Sequence, residues 1–358
     1  MNGKIILHIG YPKTATSSLQ KNVLIPLHKK NRLNYLGEET KTHMGELHHD
    51  SKFVKNILLG GPDDLKFAFC VPSVELIHNR DNRIDPAFKL LQNKGLLQSF
   101  LQDSMVNILS YETLLMPYRS VVNWKSFSQR LYGALPTNSQ VQIVVTLRNQ
   151  PSLMESFFFE KSLGYYLKSS FTKPRQLYFQ NEDGVGLRDS EQVNIFDFRT
   201  TLSEYEKVFG RENIHILFFE DIEKRPGDYF DAWASLLDIP ASEISYLFTG
   251  GPRSRVSKAD KDHFTLRVSV WDYLLKHSCS KVISPVSSGK NPGRPFALRL
   301  INAVRRLPFA SRWMVNVRIP KFTASDKAAI YQHFKTSNAE VARMYNLDIA
   351  KMKAYGYL

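Results

Sequence analysis

Short apolar runs alternate along this chain with longer stretches whose apolar residues recur at helical spacing. Lys4 to Ile9 predicts a buried strand, and Leu19, Val23 and Leu24 then mark one side of a helix over Thr14 to Leu24. Apolar runs at Phe67 to Val71, Val106 to Tyr111, Val141 to Leu147 and Ile214 to Phe219 predict further strands, separated by helical-looking segments. Such alternation implies an α/β fold: a three-layer parallel sheet flanked by helices, with ligands bound beyond the carboxyl ends of the strands. Asn181 to Asn194 is rich in turn formers and predicts a mobile loop, a candidate lid on an acceptor. Pro252 to Lys261 and Ser284 to Pro295 are further breaks, Phe296 to Leu307 is amphipathic, and Ser325 to Tyr345 predicts a helix capped by Ser325. The expected organisation is one domain over 1–358, with an α/β core over 1–250 and a basic, mainly helical extension over 251–358.

The first strand breaks into His8-Ile9-Gly10-Tyr11-Pro12-Lys13-Thr14-Ala15-Thr16-Ser17, a Gly/Pro/Lys/hydroxyl cluster that opens a helix. A strand, a tight turn and a helix start gather free backbone N–H groups and the positive helix end at one point, which suits phosphate or sulfate. Lys13 adds a full charge, and Thr14, Thr16, Ser17 and Ser18 add hydroxyl donors. The nucleotide loop of ATPases differs, because it sets its lysine after a second glycine, whereas Lys13 precedes the turn and Ala15 stands where a glycine is expected. A second cluster follows Val141 to Leu147, where Arg148 tips the strand and Pro151 starts a helix over Ser152 to Leu163 that carries Ser156. An arginine fork and a hydroxyl at that spacing can share one phosphate.

Composition narrows the setting. With 358 residues and 43% hydrophobic positions the chain can bury a large core, and it has neither a run of eighteen apolar residues nor a signal-peptide pattern. Two distant cysteines, Cys70 and Cys279, fit inert packing positions in a reducing cytoplasm. The net charge of +14 is uneven: Tyr273 to Ser325 holds ten Lys and Arg and no Asp or Glu. That stretch predicts an anion-seeking surface for an anionic glycan, or for peripheral contact with an anionic membrane.

The order P-K-T-x-T-S at Pro12 to Ser17 resembles the 5′-phosphosulfate loop of sulfotransferases that use 3′-phosphoadenosine 5′-phosphosulfate (PAPS). Arg148 and Ser156 resemble the 3′-phosphate site of the same family, and His333 to Ala339 with Tyr345 is similar to the terminal helix of its bacterial carbohydrate-type members. The resemblance implies a P-loop NTPase-like sulfotransferase fold. It also implies PAPS held by Lys13, Thr14, Ala15, Thr16, Ser17, Arg148 and Ser156, with Arg255 in a covering loop. Adenosine 3′,5′-bisphosphate would be the product, no metal is expected, and the acceptor would be a hydroxyl of a carbohydrate or glycolipid. Lys13 would neutralise the departing phosphate oxygen. Leu36 to Thr40 is similar to the G-E-E-T segment of tyrosylprotein sulfotransferases, which makes Glu39 the implied base. Glu112, in a segment resembling an S-x-E motif of bacterial relatives, competes for that role, as do His43, His48 and His49.

Two other readings stay open on the residues alone. A small-molecule kinase would need a magnesium carboxylate, for which Asp221 after a strand is the candidate. A non-catalytic basic module on an anionic polymer or membrane would bind in a salt-sensitive way without needing Lys13; nucleic acid is not the expected partner.

Overall fold

The computed structural model describes residues 3–11, 13–36, 101–110, 127–137, 139–168, 177–180, 186–251, 262–269 and 314–358. These fall into two compact units. The first comprises Met1–Asn149, Asn194–Arg255 and Phe334–Leu358, and the second Gln150–Val193 and Val256–His333.

The first unit is built on a five-stranded sheet of β1 (Ile5–His8), β2 (Asn34–Tyr35), β3 (Asn107–Ser110), β4 (Val141–Leu147) and β5 (Ile214–Phe218). The strand order is β2-β3-β1-β4-β5 and every pairing is parallel, as the alternation of strands and helices predicts. Four of the five expected strands return within a residue or two, and Phe67 to Val71 lies outside the described residues. The two-residue β2 is too short to show a pattern in the sequence.

Register explains the layers. Ile6 is level with Ile108, and His8 with Ser110 and Val144, so these side chains share one face with Leu217. On that face lie Leu19, Val23, Leu24 and Leu27 from the first helical stretch and Tyr229, Phe230, Trp233 and Leu237 from helix Pro226–Leu237. Trp233 is wholly buried, and an aromatic ring of that size stabilises by about 2–3 kcal/mol through burial. The alternate positions face the other way, where Phe218 packs against Tyr355 and Tyr357 and Phe198 packs against Tyr357. Helix Phe198–Phe209 closes that side, capped by Asp197, whose carboxylate accepts from the Arg199 amide.

In the second unit, helix Gln150–Lys168 extends beyond the expected Ser152 to Leu163 at both ends. Its proline lies in the first turn, where no intrahelical N–H is needed. His263–Ser269 (β6) pairs antiparallel with Met314–Pro320 (β7), so a stretch expected to be mainly helical contains a ribbon. The alternation of buried Phe264, Leu266 and Val268 is its sequence mark. Phe264 stacks on Phe159 at 4.4 Å. The helix beginning at Ala324 is capped by Thr323 rather than Ser325: the Asp326 amide donates to Thr323 Oγ1, and the Thr323 amide donates to the Asp326 carboxylate.

Candidate anion-binding site

β1 lies centrally in the sheet, where the strand order reverses between β3 and β4. In an open parallel sheet that reversal leaves a crevice beyond the carboxyl ends of the strands. The segment leaving β1 enters it. Lys13 has φ 69° and Ala15 φ 65°, both left-handed, while Thr14 between them does not. Alternation of hand along three residues turns successive N–H groups toward one concavity, an anion nest. The helical stretch begins at Thr16, with Ala15 as its cap residue. The Ser18 and Leu19 amides already close onto the Ala15 carbonyl, and the Ala15, Thr16 and Ser17 amides remain as first-turn donors with no backbone acceptor among the described residues.

Ala15 thus occupies the conformation that glycine favours, at a cost of about 1–2 kcal/mol for an alanine. Ala15→Gly is expected to raise the unfolding free energy by about 1 kcal/mol, measured by denaturant titration. A destabilised variant would contradict the left-handed loop.

Gly10 is required by close approach. A Cβ there would stand 3.0 Å from His8 Nε2, 3.2 Å from Thr16 Oγ1 and 3.4 Å from Thr14 Oγ1. The Thr14 hydroxyl, counted from sequence as a ligand donor, instead donates to the Tyr11 carbonyl. Thr14 and Thr16 are buried, and their hydroxyl oxygens lie 3.4 Å apart. Tyr11 is pinned on the other side, its hydroxyl 3.1 Å from both the Thr201 hydroxyl and the Ile195 carbonyl.

His8, Ser110 and Gln20 form a buried relay beside the loop that sequence reasoning missed. The Gln20 amide nitrogen donates to the Ser110 carbonyl (2.9 Å) and hydroxyl (3.2 Å), and Ser110 Oγ lies 2.8 Å from His8 Nδ1. Beside the Gln20 contact Ser110 Oγ keeps its hydrogen and a second lone pair, so the direction of its bond with His8 Nδ1 follows the ring tautomer. Burial pushes the His8 pKa down to about 3, so the ring is neutral. Its Nε2 is buried, with no hydrogen-bond partner among the described residues, on the side facing Gly10. A polar pair of strand-end residues level in register was the only available signal.

Arg148, at the tip of β4, sends Nη1 to the Lys13 carbonyl at 2.9 Å and lies over the Phe219 ring, 4.5 Å from its centroid. The two expected cationic residues, 135 positions apart, are therefore in direct contact. Asn149 follows, and its backbone N–H and side-chain amide both donate to Glu220 Oε1, at 3.0 and 2.8 Å. Ser156 is half-buried on helix Gln150–Lys168 of the second unit. Glu39, Glu112, Arg255, His43, His48 and His49 lie outside the described residues.

Asp221, the candidate metal carboxylate after β5, is committed elsewhere. It is buried, Tyr355 donates to its Oδ1 at 2.6 Å, and the Lys351 ammonium stands 2.8 Å from Oδ2.

No family model matches this chain, and no curated protein matches its sequence. Among solved structures, a sulfotransferase from Alicyclobacillus acidocaldarius is 13% identical, with 97% of this chain and 98% of that chain covered at a TM-score of 0.44. A sulfotransferase domain from the curacin biosynthetic pathway is also 13% identical, with 71% of this chain and 80% of that chain covered at a TM-score of 0.35.

Proposed function

We propose that this chain is a sulfotransferase that takes a sulfuryl group from PAPS and transfers it to a hydroxyl of a carbohydrate or glycolipid. The observation that carries the reading is the hydrogen bond from Arg148 to the Lys13 carbonyl, which ties a cationic side chain at one strand end to the backbone of the lysine loop at the next, at the switch point of a parallel sheet. A donor with phosphate at both ends of one nucleoside suits two such groups, one on each neighbouring strand end. The residues fit that donor: a left-handed loop whose first-turn amides have no backbone acceptor among the described residues, and a glycine where any Cβ would crowd Thr14, Thr16 and His8.

When bound, PAPS supplies an activated sulfuryl group whose transfer places negative charge on the departing phosphate oxygen. The chain's part is positioning and charge stabilisation. Lys13 and the amides of Ala15, Thr16 and Ser17 would hold the 5′ end, and Arg148 with Ser156 the 3′-phosphate. Arg255 would cover the nucleotide. Glu39 would take the acceptor proton, with Glu112 as the alternative base. The acid-free stretch from Tyr273 to Ser325 would hold an anionic glycan or a lipid surface, in the cytoplasm or at the inner face of the membrane. Among the described residues no helix is long and apolar enough to cross a membrane. The kinase reading is disfavoured by Asp221, whose oxygens face Tyr355 and Lys351.

The test is thermal stabilisation by product analogues, followed by transfer from labelled PAPS. Adenosine 3′,5′-bisphosphate at about 100 times its dissociation constant should add about 2.7 kcal/mol, well above the effect of the 5′-monophosphate at equal concentration. Equal stabilisation by the two nucleotides would sink the two-phosphate reading.

A further inference from the structure

After Asp348 the chain buries Met352, Tyr355 and Tyr357, and no part of the proposed chemistry uses them. Tyr357 is wholly buried between Phe198 and Phe218, with ring centroids at 6.2 and 5.3 Å. Its backbone is held from two directions: its amide donates to the Met352 carbonyl at 3.0 Å, and its carbonyl accepts from the Asn338 side chain at 3.0 Å. The side chain is thereby given one orientation, and its hydroxyl donates to Glu220 Oε2 at 2.9 Å.

Glu220 passes the constraint on. Its other oxygen accepts both donors of Asn149, the residue after Arg148. On the other side of the arginine, the Leu147 carbonyl accepts from the Phe219 amide at 2.7 Å. Residues 147 and 149 are thus both tied to 219–220, and the Arg148 guanidinium between them rests on Phe219 and reaches the Lys13 carbonyl. Burial and the neighbouring Glu220 raise the Tyr357 pKa well above its ordinary value, so the hydroxyl keeps its proton and stays a donor at neutral pH.

We propose that Tyr357 is a positioning residue for Arg148, acting through Glu220 and Asn149 to preset the guanidinium that recognises the 3′-phosphate. The proposal rests on the PAPS reading for the identity of the anion. The positioning chain itself rests on the hydrogen bonds from Tyr357 to Lys13. Glu220 needs a donor on its second oxygen to stay aimed at Asn149, and Tyr357 is the group that supplies it. Removing that hydroxyl leaves a half-buried carboxylate free to turn toward solvent, and Asn149 loses its fixed acceptor.

The test uses two single-atom deletions in the full chain, Tyr357→Phe and Tyr355→Phe. Each removes one tyrosine hydroxyl from a carboxylate after β5, but Tyr355 bonds Asp221, whose other oxygen faces the Lys351 ammonium rather than Asn149. Calorimetry with adenosine 3′,5′-bisphosphate and with the 5′-monophosphate reads the preference for the 3′-phosphate. Tyr357→Phe should cut that preference by about tenfold and raise KM for PAPS by a similar factor with kcat within about twofold. Tyr355→Phe should keep the wild-type preference whatever its stability. A Tyr357→Phe protein with the wild-type preference, or equal losses in both variants, would overturn the proposal. A wild-type protein with no preference would overturn the PAPS reading, and hydrogen exchange at the Asn149 amide then decides the positioning chain. Faster exchange in Tyr357→Phe but not in Tyr355→Phe supports it, and unchanged exchange overturns it.

Discussion

Lys13→Ala is expected to slow transfer from PAPS by about 10²–10³-fold, the usual consequence of deleting one preorganised group that meets developing negative charge. The expectation is specific because of what the substitution leaves in place. The loop carbonyl that Arg148 holds belongs to the Lys13 backbone and survives in alanine. The positive φ at position 13 is equally unfavourable for both residues, so the change gives no new reason for the loop to refold. Thermal midpoints should therefore agree within about 3 °C, a shift below about 1 kcal/mol, while single-turnover rates with labelled PAPS separate sharply. A variant that retains a third or more of the wild-type rate would remove Lys13 from the chemistry.

Arg148→Ala carries the second large effect, and it has two parts. The guanidinium is the proposed 3′-phosphate ligand, and a charged hydrogen bond of that kind is worth about 1.5–3 kcal/mol, so affinity for adenosine 3′,5′-bisphosphate should fall about 10- to 100-fold. Affinity for the 5′-monophosphate should fall less, because its loss comes only through the Lys13 carbonyl, which loses its donor. Arg148→Lys should rescue little: an ammonium cannot lie flat on Phe219 while reaching the carbonyl as the planar fork does. Calorimetric titration of both nucleotides checks both variants, and an unchanged bisphosphate preference in Arg148→Ala would move the 3′-phosphate site elsewhere.

The sheet was legible because β1, β4 and β5 are each buried apolar runs, and burial on both faces leaves the same mark in any sequence. β2 was not, since two residues show no period, and the β6–β7 ribbon was obscured by the basic residues around it. At the site, Lys13 and Arg148 were legible as charges placed just after strands, whereas the sequence shows Ala15 only as a departure from glycine and not the left-handed φ it adopts. His8, Gln20 and Ser110 were not legible, because their relation is a register between strands separated by about a hundred residues. The same holds for Asn149, Glu220 and Tyr357: each is an ordinary polar residue until the sheet and the segment after Asp348 bring them together. At Thr14 the hydroxyl, which the sequence offers to a ligand, donates to the Tyr11 carbonyl.

The helical stretch after the loop contains one wide π turn, Gln20–Leu24, between the α-helical segments Thr16–Leu19 and Ile25–Lys29. A π turn amounts to one extra residue in a helix, so the two segments carry different rotational phases about nearly one axis. Leu19 before the turn, Val23 and Leu24 within it and Leu27 after it all reach the same core under the sheet, while Thr16 and Gln20 lie toward the loop and Ser110. Removing one residue from this turn would restore a regular helix but rotate one segment by about 100° against the other. Leu27 would then leave the face it shares with Leu19, so the widened turn is what lets one helical stretch both start at the loop and end in the core.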